Sequence, residues 1–574
     1  MAEIQKLIVF KSPPGIRRDG TNLDGTEYSD GQWVRFQRGR PKKMGGYWRV
    51  TDRLRGPVRD TLVWSRGDLN NIFCFSGNSI EVVQVDENGG GSSITNRTPS
   101  GFSGSSDNLW STDTMYDAAV GSTKTLVLAL PSKSMTNIDD STTSSLYYAP
   151  TDNSSAFVAV SDVNAVASGG VFVCSPYAVL YGTDGKVTWS NANEPQNYTT
   201  GDAGSARVSG AKFVQGKSIK SGSGASGLLW SLDALIKMDF IGGQGIFRFT
   251  KVASSSIFAQ NSVVEYDGIF YWIGADRFLS SNGGEVKEIP NVMNLNWFFD
   301  NVNYAHRQKI WGMKVPRFGE VIWFYPRGDN TECSHAIVLN VREQCWYDFE
   351  LPRSSGFYSQ VFRYPVMVSS SANNKRALTR TVVTGEFLID DIIIGSISGA
   401  IGSVVVDTGT DYYVELSNET EFVVGETLAK ISIDTIPGTT DNATVTAVNN
   451  LYSLYAHEKG VNKVDDYEES IESYFTTPDF GLPANQEVNR WTRIVRIEPD
   501  FIQTGNMTVE VLGYETASSA KTEDGPFTFG ESDTRVDMRV QRRHLQLKFK
   551  SNELNGFYEM GKVILHTEPG DIRV

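Results

Sequence analysis

The sequence predicts an all-β chain: a β-propeller of six to seven blades with an inserted small β domain and a C-terminal β layer. Three observations predict it. Short aromatic or aliphatic runs recur at near-even spacing: NIFCF from Asn71, TLVLAL from Thr125, AVLYG from Ala178, GLLWS from Gly227, GIFYWIG from Gly268 and EVIWFYP from Glu320. Repeats of roughly 40–50 residues with about four strands each mark propeller blades. The 574 residues include 54 glycines and 11% aromatic side chains, a profile of many short strands joined by turns. The runs from Gly268 and Glu320 are near-continuously apolar, as strands buried on both faces are; half-exposed strands would alternate. A pair of β-sandwiches is the competing arrangement, and the regular spacing favours the propeller.

Residues 1–60 hold 13 Lys/Arg against 7 Asp/Glu and read as a basic N-terminal docking segment. Here Arg35, Arg38, Arg40, Lys42 and Lys43 interleave with Trp33, Phe36, Tyr47 and Trp48. One reading is a solvated loop. The other is a docking surface for an acidic partner protein or DNA phosphates, with aromatic anchors beside the charges. Residues 61–376 read as the propeller core, with hairpin turns at Asp267-Gly268 and Asn282-Gly283-Gly284. Residues 377–450 look different: rich in Gly, Thr and Ile, with only Arg380 and Lys430 against eleven acids. Two similar phrases lie inside, GEFLIDDIIIGSISGA from Gly385 and TEFVVGETLAKISID from Thr420. This stretch reads as an acidic β module set in a hairpin loop of the last blade, between VMVSS from Val366 and LYSLYAHE from Leu451. Residues 451–485 supply the last propeller strand and a connection. Residues 486–574 carry the alternating runs WTRIVRIEPDF, MTVEVLGYE, RVDMRV and HLQLKFKS, read as the C-terminal β layer.

Composition excludes several classes. The net charge of −14 argues against general nucleic-acid binding, which needs cationic surface. The four cysteines form no C-x-x-C pair and the five histidines are scattered, so neither a metal site nor a cofactor is expected. The start has no signal-peptide pattern, and Ile392–Val406 is too short and glycine-rich to span a bilayer. The expectation is a soluble protein, made in the cytoplasm, without membrane insertion. Gly222-Ser-Gly224-Ala-Ser-Gly227 matches a dinucleotide loop by letter but lacks the strand before and the helix after. Asp86-Glu-Asn88-Gly-Gly lacks the remaining ligands of a calcium loop. Asp184-Gly-Lys-Val-Thr188-Trp189 is close to the Asp-box turn of some propellers, a structural turn. A glycosidase needs paired carboxylates, and among 67 acids such a pair is neither picked out nor excluded.

A series of phrases in order carries a family resemblance. GQWVRFQRGRPKKMGGYW comes first, then VTWSNANEPQNY, LLWSLDALIKMDFIGGQGIFRF, FAQNSVVEYDGIFYWIGADRFLSSNGGEVKEIPN and GEVIWFYP. YAHEKGV, YFTTPDFGL and RIEPDF follow. The chain resembles the tail nozzle proteins of short-tailed bacteriophages, also called tail tubular protein B or packaged-DNA stabilisation proteins. The resemblance implies a structural virion protein: a homohexameric ring of propeller subunits below the portal and adaptor. The ring closes the tail channel, retains packaged double-stranded DNA, lets it pass on ejection, and sits near tail fibres or spikes. It implies no enzymatic activity and supplies no catalytic residue. The acidic insertion departs from the family but is similar to small β modules of other phage virion proteins. An acidic wall repels phosphates, so the net charge suits DNA passage without DNA affinity. The alternative reading is a propeller that binds or degrades host glycans.

Overall fold

The computed structural model describes residues 6–21, 23–66, 69–86, 93–118, 124–150, 154–219, 224–359, 362–431, 442–480, 490–516 and 519–572. Six consecutive four-stranded antiparallel sheets form six blades. Their innermost strands are Val58–Arg66, Leu109–Asp117, Gly170–Cys174, Phe213–Ser218, Val264–Tyr266 and Trp311–Val315. The seventh blade is assembled from the two ends of the propeller's sequence. Arg353–Phe357 pairs with Val366–Ser369, which pairs with the second half of Asn442–His457, which pairs with Tyr47–Arg55. A strand cut immediately before the first blade therefore closes the last one, giving seven blades.

The periodic runs have one structural meaning: all six are the second strand of a blade. Leu69–Ser76, Lys124–Ser132, Tyr177–Tyr181, Ser226–Ser231, Ile269–Ile273 and Glu320–Tyr325 hold that place. A second strand has a ladder on each side and a neighbouring blade on each face. Every residue of Tyr177–Tyr181 and of Glu320–Tyr325 is accordingly buried. Indole N–H groups tie successive blades. Trp110 Nε1 donates to the Ser76 carbonyl (2.7 Å) and Trp323 Nε1 to that of Ser262 (2.7 Å). A buried donor left unmade would cost about 1–3 kcal/mol, so these bonds add to what the rings' apolar area contributes.

The acidic module is a closed six-stranded barrel. Its strands run Lys375–Thr384, Asp411–Leu416, Ile401–Asp407, Ile392–Gly395, Thr427–Lys430 and the first half of Asn442–His457, which pairs back with the first. Its two similar phrases fold into two copies of one turn. Phe387 and Phe422 enter the barrel core. Four residues on, Asp391 accepts the Leu388 N–H (2.9 Å) and Glu426 accepts the Val423 N–H (2.7 Å). Asp390 and Gly425 occupy matching left-handed positions, φ 72° and 91°.

The C-terminal strands form a β-sandwich only with help from the N-terminal residues. One sheet runs Val34–Gln37, Arg40–Lys43, Phe557–Ile572, Arg490–Thr504 and Val536–Arg542, with Lys6–Phe10 also paired to Phe557–Ile572. The other runs Asp30–Gln32, Ser473–Thr476, His544–Ser551, Met507–Tyr514 and Thr522–Phe529. The sandwich shares one hydrophobic core with the sixth blade, where Phe36, Phe549 and Leu565 join Ile322, Phe324 and Tyr347. The expectation of a separate docking segment over residues 1–60 is corrected. Those residues supply sandwich strands, the closing strand of the last blade and the start of the first.

Asp184 sits in a left-handed turn leading into Lys186–Trp189, so the Asp-box-like phrase is a hairpin turn of the third blade. Most of Asp86-Glu-Asn88-Gly-Gly and the start of Gly222-Ser-Gly224 lie outside the described residues. No helix among the described residues is long and apolar enough to cross a membrane.

Candidate functional site

The nine candidate docking residues divide by burial. Trp33, Phe36, Arg35 and Lys43 are buried, at 3%, 0%, 1% and 1% exposure. Their role as surface contacts is therefore corrected. In the register of the hairpin, Val34 lies opposite Lys43 and Arg35 opposite Lys42. Arg35 and Lys43 therefore lie on opposite faces of the hairpin, and both faces are packed against other elements.

Arg35 is held as a fork between two carboxylates. Its Nε donates to Glu320 Oε1 (2.9 Å) and its Nη2 to Glu320 Oε2 (3.1 Å). Nη1 and Nη2 donate to Glu458 at 2.8 and 2.6 Å. Tyr347 Oη donates to Glu320 Oε1 (2.6 Å), and the guanidinium lies 3.6 Å above the Phe318 ring. Desolvation raises the Glu320 carboxyl above its ordinary range against the pull of Arg35. The network joins the hairpin, the sixth blade and the loop after the seventh blade. Lys43 Nζ is buried without a hydrogen bond among the described residues, and burial lowers its pKa to about 8.

The remaining candidates face outward or are half-covered. Tyr47 lies under the Arg353 guanidinium at 4.8 Å. Trp48 is exposed, with Lys459 4.2 Å from its ring. Lys42 and Arg38 both pair with Glu559, at 3.5 and 2.9 Å. Arg38 and Arg40 join Lys11 and Lys562 around a groove of 560 Å³ floored by Phe10, Pro13, Pro14 and Met560. This surface is basic and partly apolar, the chemistry of a protein contact with an acidic partner.

Two further concave sites were not legible in the sequence. The first is on the propeller axis, a cavity of 330 Å³ lined from the innermost strands of six blades. Its charged groups are Arg59, Asp60, Asp113, Lys217, Glu265 and Lys314. Asp60 accepts the Thr61 N–H (2.9 Å) and the Thr112 hydroxyl (2.7 Å). Desolvation raises its pKa to about 6, opposed by Thr112 and Lys217. A carboxyl that titrates near neutrality in a cavity is a candidate functional group. The second is a polar cleft of 870 Å³ between the acidic module and the propeller rim. There Arg55 Nη2 donates to Asp411 (2.7 Å), Lys375 Nζ donates to Asp52 (2.6 Å), and Glu81 accepts the Arg55 N–H (2.7 Å). Burial raises the Glu81 pKa to about 7. Among the described residues, no group of three His, Cys, Asp or Glu is placed to hold a metal.

Comparison with known proteins gives fold neighbours only. No protein-family model matches the chain, and no curated protein matches it. Among solved structures, an ancestral GH74 enzyme is similar at 11% identity and TM-score 0.33, over 69% of this chain and 52% of that one. This chain thus aligns with about half of that enzyme. A computationally designed protein is similar at 10% identity and TM-score 0.31, over 71% of this chain and 99% of that one. A protein described as a glycoside hydrolase is similar at 9% identity and TM-score 0.23, over 89% and 99%. Two of these three are described as an enzyme or a glycoside hydrolase, and the expectation of a chain without enzymatic activity is withdrawn. At such identities and TM-scores the neighbours carry no reaction over to this chain.

Proposed function

We propose that the chain is the tail nozzle subunit of a short-tailed bacteriophage: a homohexameric ring at the distal tail that retains packaged DNA and releases it on ejection. One observation carries the reading. The phrases that resemble the nozzle family converge on one buried joint: Arg35 comes from GQWVRFQRGRPKKMGGYW, Glu320 from GEVIWFYP and Glu458 from YAHEKGV, at separations of 285 and 423 residues from Arg35. The resembling residues are those that bolt propeller to sandwich, which supports reading them as one inherited architecture. The basic groove with Arg38 and Arg40 is the surface for the head-tail adaptor. The module, with Leu388, Ile389, Ile397 and Val424 each at least 60% exposed, is the outward surface for a fibre or spike. Negative-stain imaging of purified chain tests the reading: rings of six with a central hole are expected, and a stable monomer at high concentration overturns it.

A second reading, a propeller that binds or degrades host glycans, is favoured by the axial cavity and its near-neutral Asp60 carboxyl. Incubation with host lipopolysaccharide or capsule tests it: depolymerisation supports an enzyme, reversible binding supports a lectin, and neither removes it.

A further inference from the structure

The axial cavity has unused bonding capacity, and its location within the wall indicates what it takes. Asp113 is occupied, its carboxylate accepting the Thr114 and Val173 N–H groups at 2.8 Å each. Glu265 is held by Lys314 Nζ (2.7 Å) and the Gly268 N–H (2.9 Å). Arg59 turns to Glu332, with two bonds of 2.7 and 2.8 Å. Asp60 and Lys217 remain. The two Asp60 oxygens accept one hydrogen bond each from Thr61 and Thr112, which leaves lone pairs open. Lys217 Nζ makes no hydrogen bond among the described residues, although its charge acts on Asp60. Both side chains are half-buried, so a solute can reach them.

The wall therefore offers one open acceptor and one open donor within a ring of carboxylates and ammoniums of both signs. A charged ligand of either sign meets like charge there. A hydroxyl both donates and accepts, so a polyhydroxylated ring satisfies Asp60 and Lys217 together. Phe357 and Tyr358, also half-buried, line the same cavity and supply ring faces for the apolar side of a sugar. A volume of 330 Å³ lies at the lower end of small-molecule sites, which run to about 1,000 Å³.

We propose that the axial cavity binds a single neutral hexose unit, with Lys217 donating to its hydroxyls and Asp60 accepting from them. The proposal rests on the glycan reading and is independent of ring assembly. The test is saturation-transfer NMR on the full chain with glucose, galactose and mannose, and with glucuronate and glucosamine as charged probes. Transfer to at least one neutral hexose is expected, with at least a tenfold loss of affinity in Lys217→Met and in Asp60→Asn, each variant remaining cooperatively folded under the conditions of the measurement. Unchanged affinity in both variants overturns this site while the glycan reading stands. Transfer to charged probes alone overturns the neutral assignment. Absence of transfer to every probe overturns the site; if lipopolysaccharide and capsule also fail to bind, the glycan reading falls separately.

Discussion

Replacing Arg35 by Met tests whether the basic phrase is a joint or a docking surface. The side chain of Arg35 is 2% exposed and that of Glu320 is 0% exposed, so their pairing is screened little by water. Removing one partner of a buried pair costs about 3–5 kcal/mol, because the other charge stays buried. Tyr347 still donates to Glu320, which places the expected loss near the lower end, about 3 kcal/mol. The loss should depend on pH. Without the guanidinium, the Glu320 carboxyl, already raised by desolvation, rises further. A carboxyl whose folded pKa lies above its unfolded value favours the folded state in acid, and that advantage drains as pH rises through the folded pKa. Arg35→Met should therefore lie closest to the parent near pH 4.5 and furthest from it at pH 8. Urea unfolding followed by tryptophan fluorescence at both pH values reads the difference. Arg35→Met/Glu320→Gln should recover part of the loss at pH 8 by removing the stranded charge. A change below about 0.5 kcal/mol at pH 8, the range of ordinary surface substitutions, would refute the joint. A variant that folds normally but fails only in assembly would restore the docking role.

Glu81→Gln should raise stability in alkaline solution. The carboxyl sits at about 7 against an ordinary value of 4.5, so its burial weakens the fold progressively above pH 4.5, by up to about 3 kcal/mol. The amide oxygen still accepts the Arg55 N–H, so melting temperatures should diverge at pH 8 and nearly coincide at pH 4.5; equal gaps at both would sink the account. Replacing residues 375–450 by Asn-Gly should leave the propeller folded, because the Asn373 N–H already donates to the Leu451 carbonyl at 2.8 Å and the ends need only a turn. Loss of the cooperative unfolding transition in that deletion would show that the module is part of the core. The four cysteines are free and buried, and burial pushes the Cys174 thiol up to about 12. All four should resist a thiol reagent at pH 8 in the folded chain and react once it is unfolded, and prompt labelling of the folded chain would contradict the packing. Reversing Arg38 and Arg40 to Glu should lower the melting temperature by only a few °C, since both are exposed and the chief loss is the Arg38–Glu559 pair, and should weaken tail assembly; virions formed normally would remove the adaptor proposal.

What the sequence made legible was whatever a local stretch enforces by itself. The run of each second strand is apolar at nearly every position because that strand is covered on both faces, and the spacing of such runs carries the blade repeat. The seventh blade was harder to see, because its closing strand Tyr47–Arg55 lies some 400 residues from its partner at Leu451–His457. The charge run from Arg35 to Lys43 misled for the same reason. Inward-facing Arg35 looks like a solvated cation until Glu320 and Phe318 of the sixth blade and Glu458 are in place around it. The axial cavity left no local signal, since Asp60, Thr112, Lys217 and Glu265 come from four separate blades. Each is a polar residue on or beside a first strand, just ahead of an apolar run, and only the ring brings them together. The two module turns were visible as repeated phrases, because a phenylalanine and an acid four residues later belong to one short turn.

The strand Tyr47–Arg55 also orders events in time. It is made before the six blades and the module but finds its place only against Leu451–His457, after they have been made. Until then it is an unpaired edge, and the ring of blades has an open seam on both sides. Pairings this distant in sequence are slow to form, because a long loop must close before any contact rewards it. The clasp also sets which end of the chain is mechanically critical. A pull on the N-terminus is resisted by sandwich strands and by the Arg35 fork before it reaches the seam, so the ring opens only after that anchor yields.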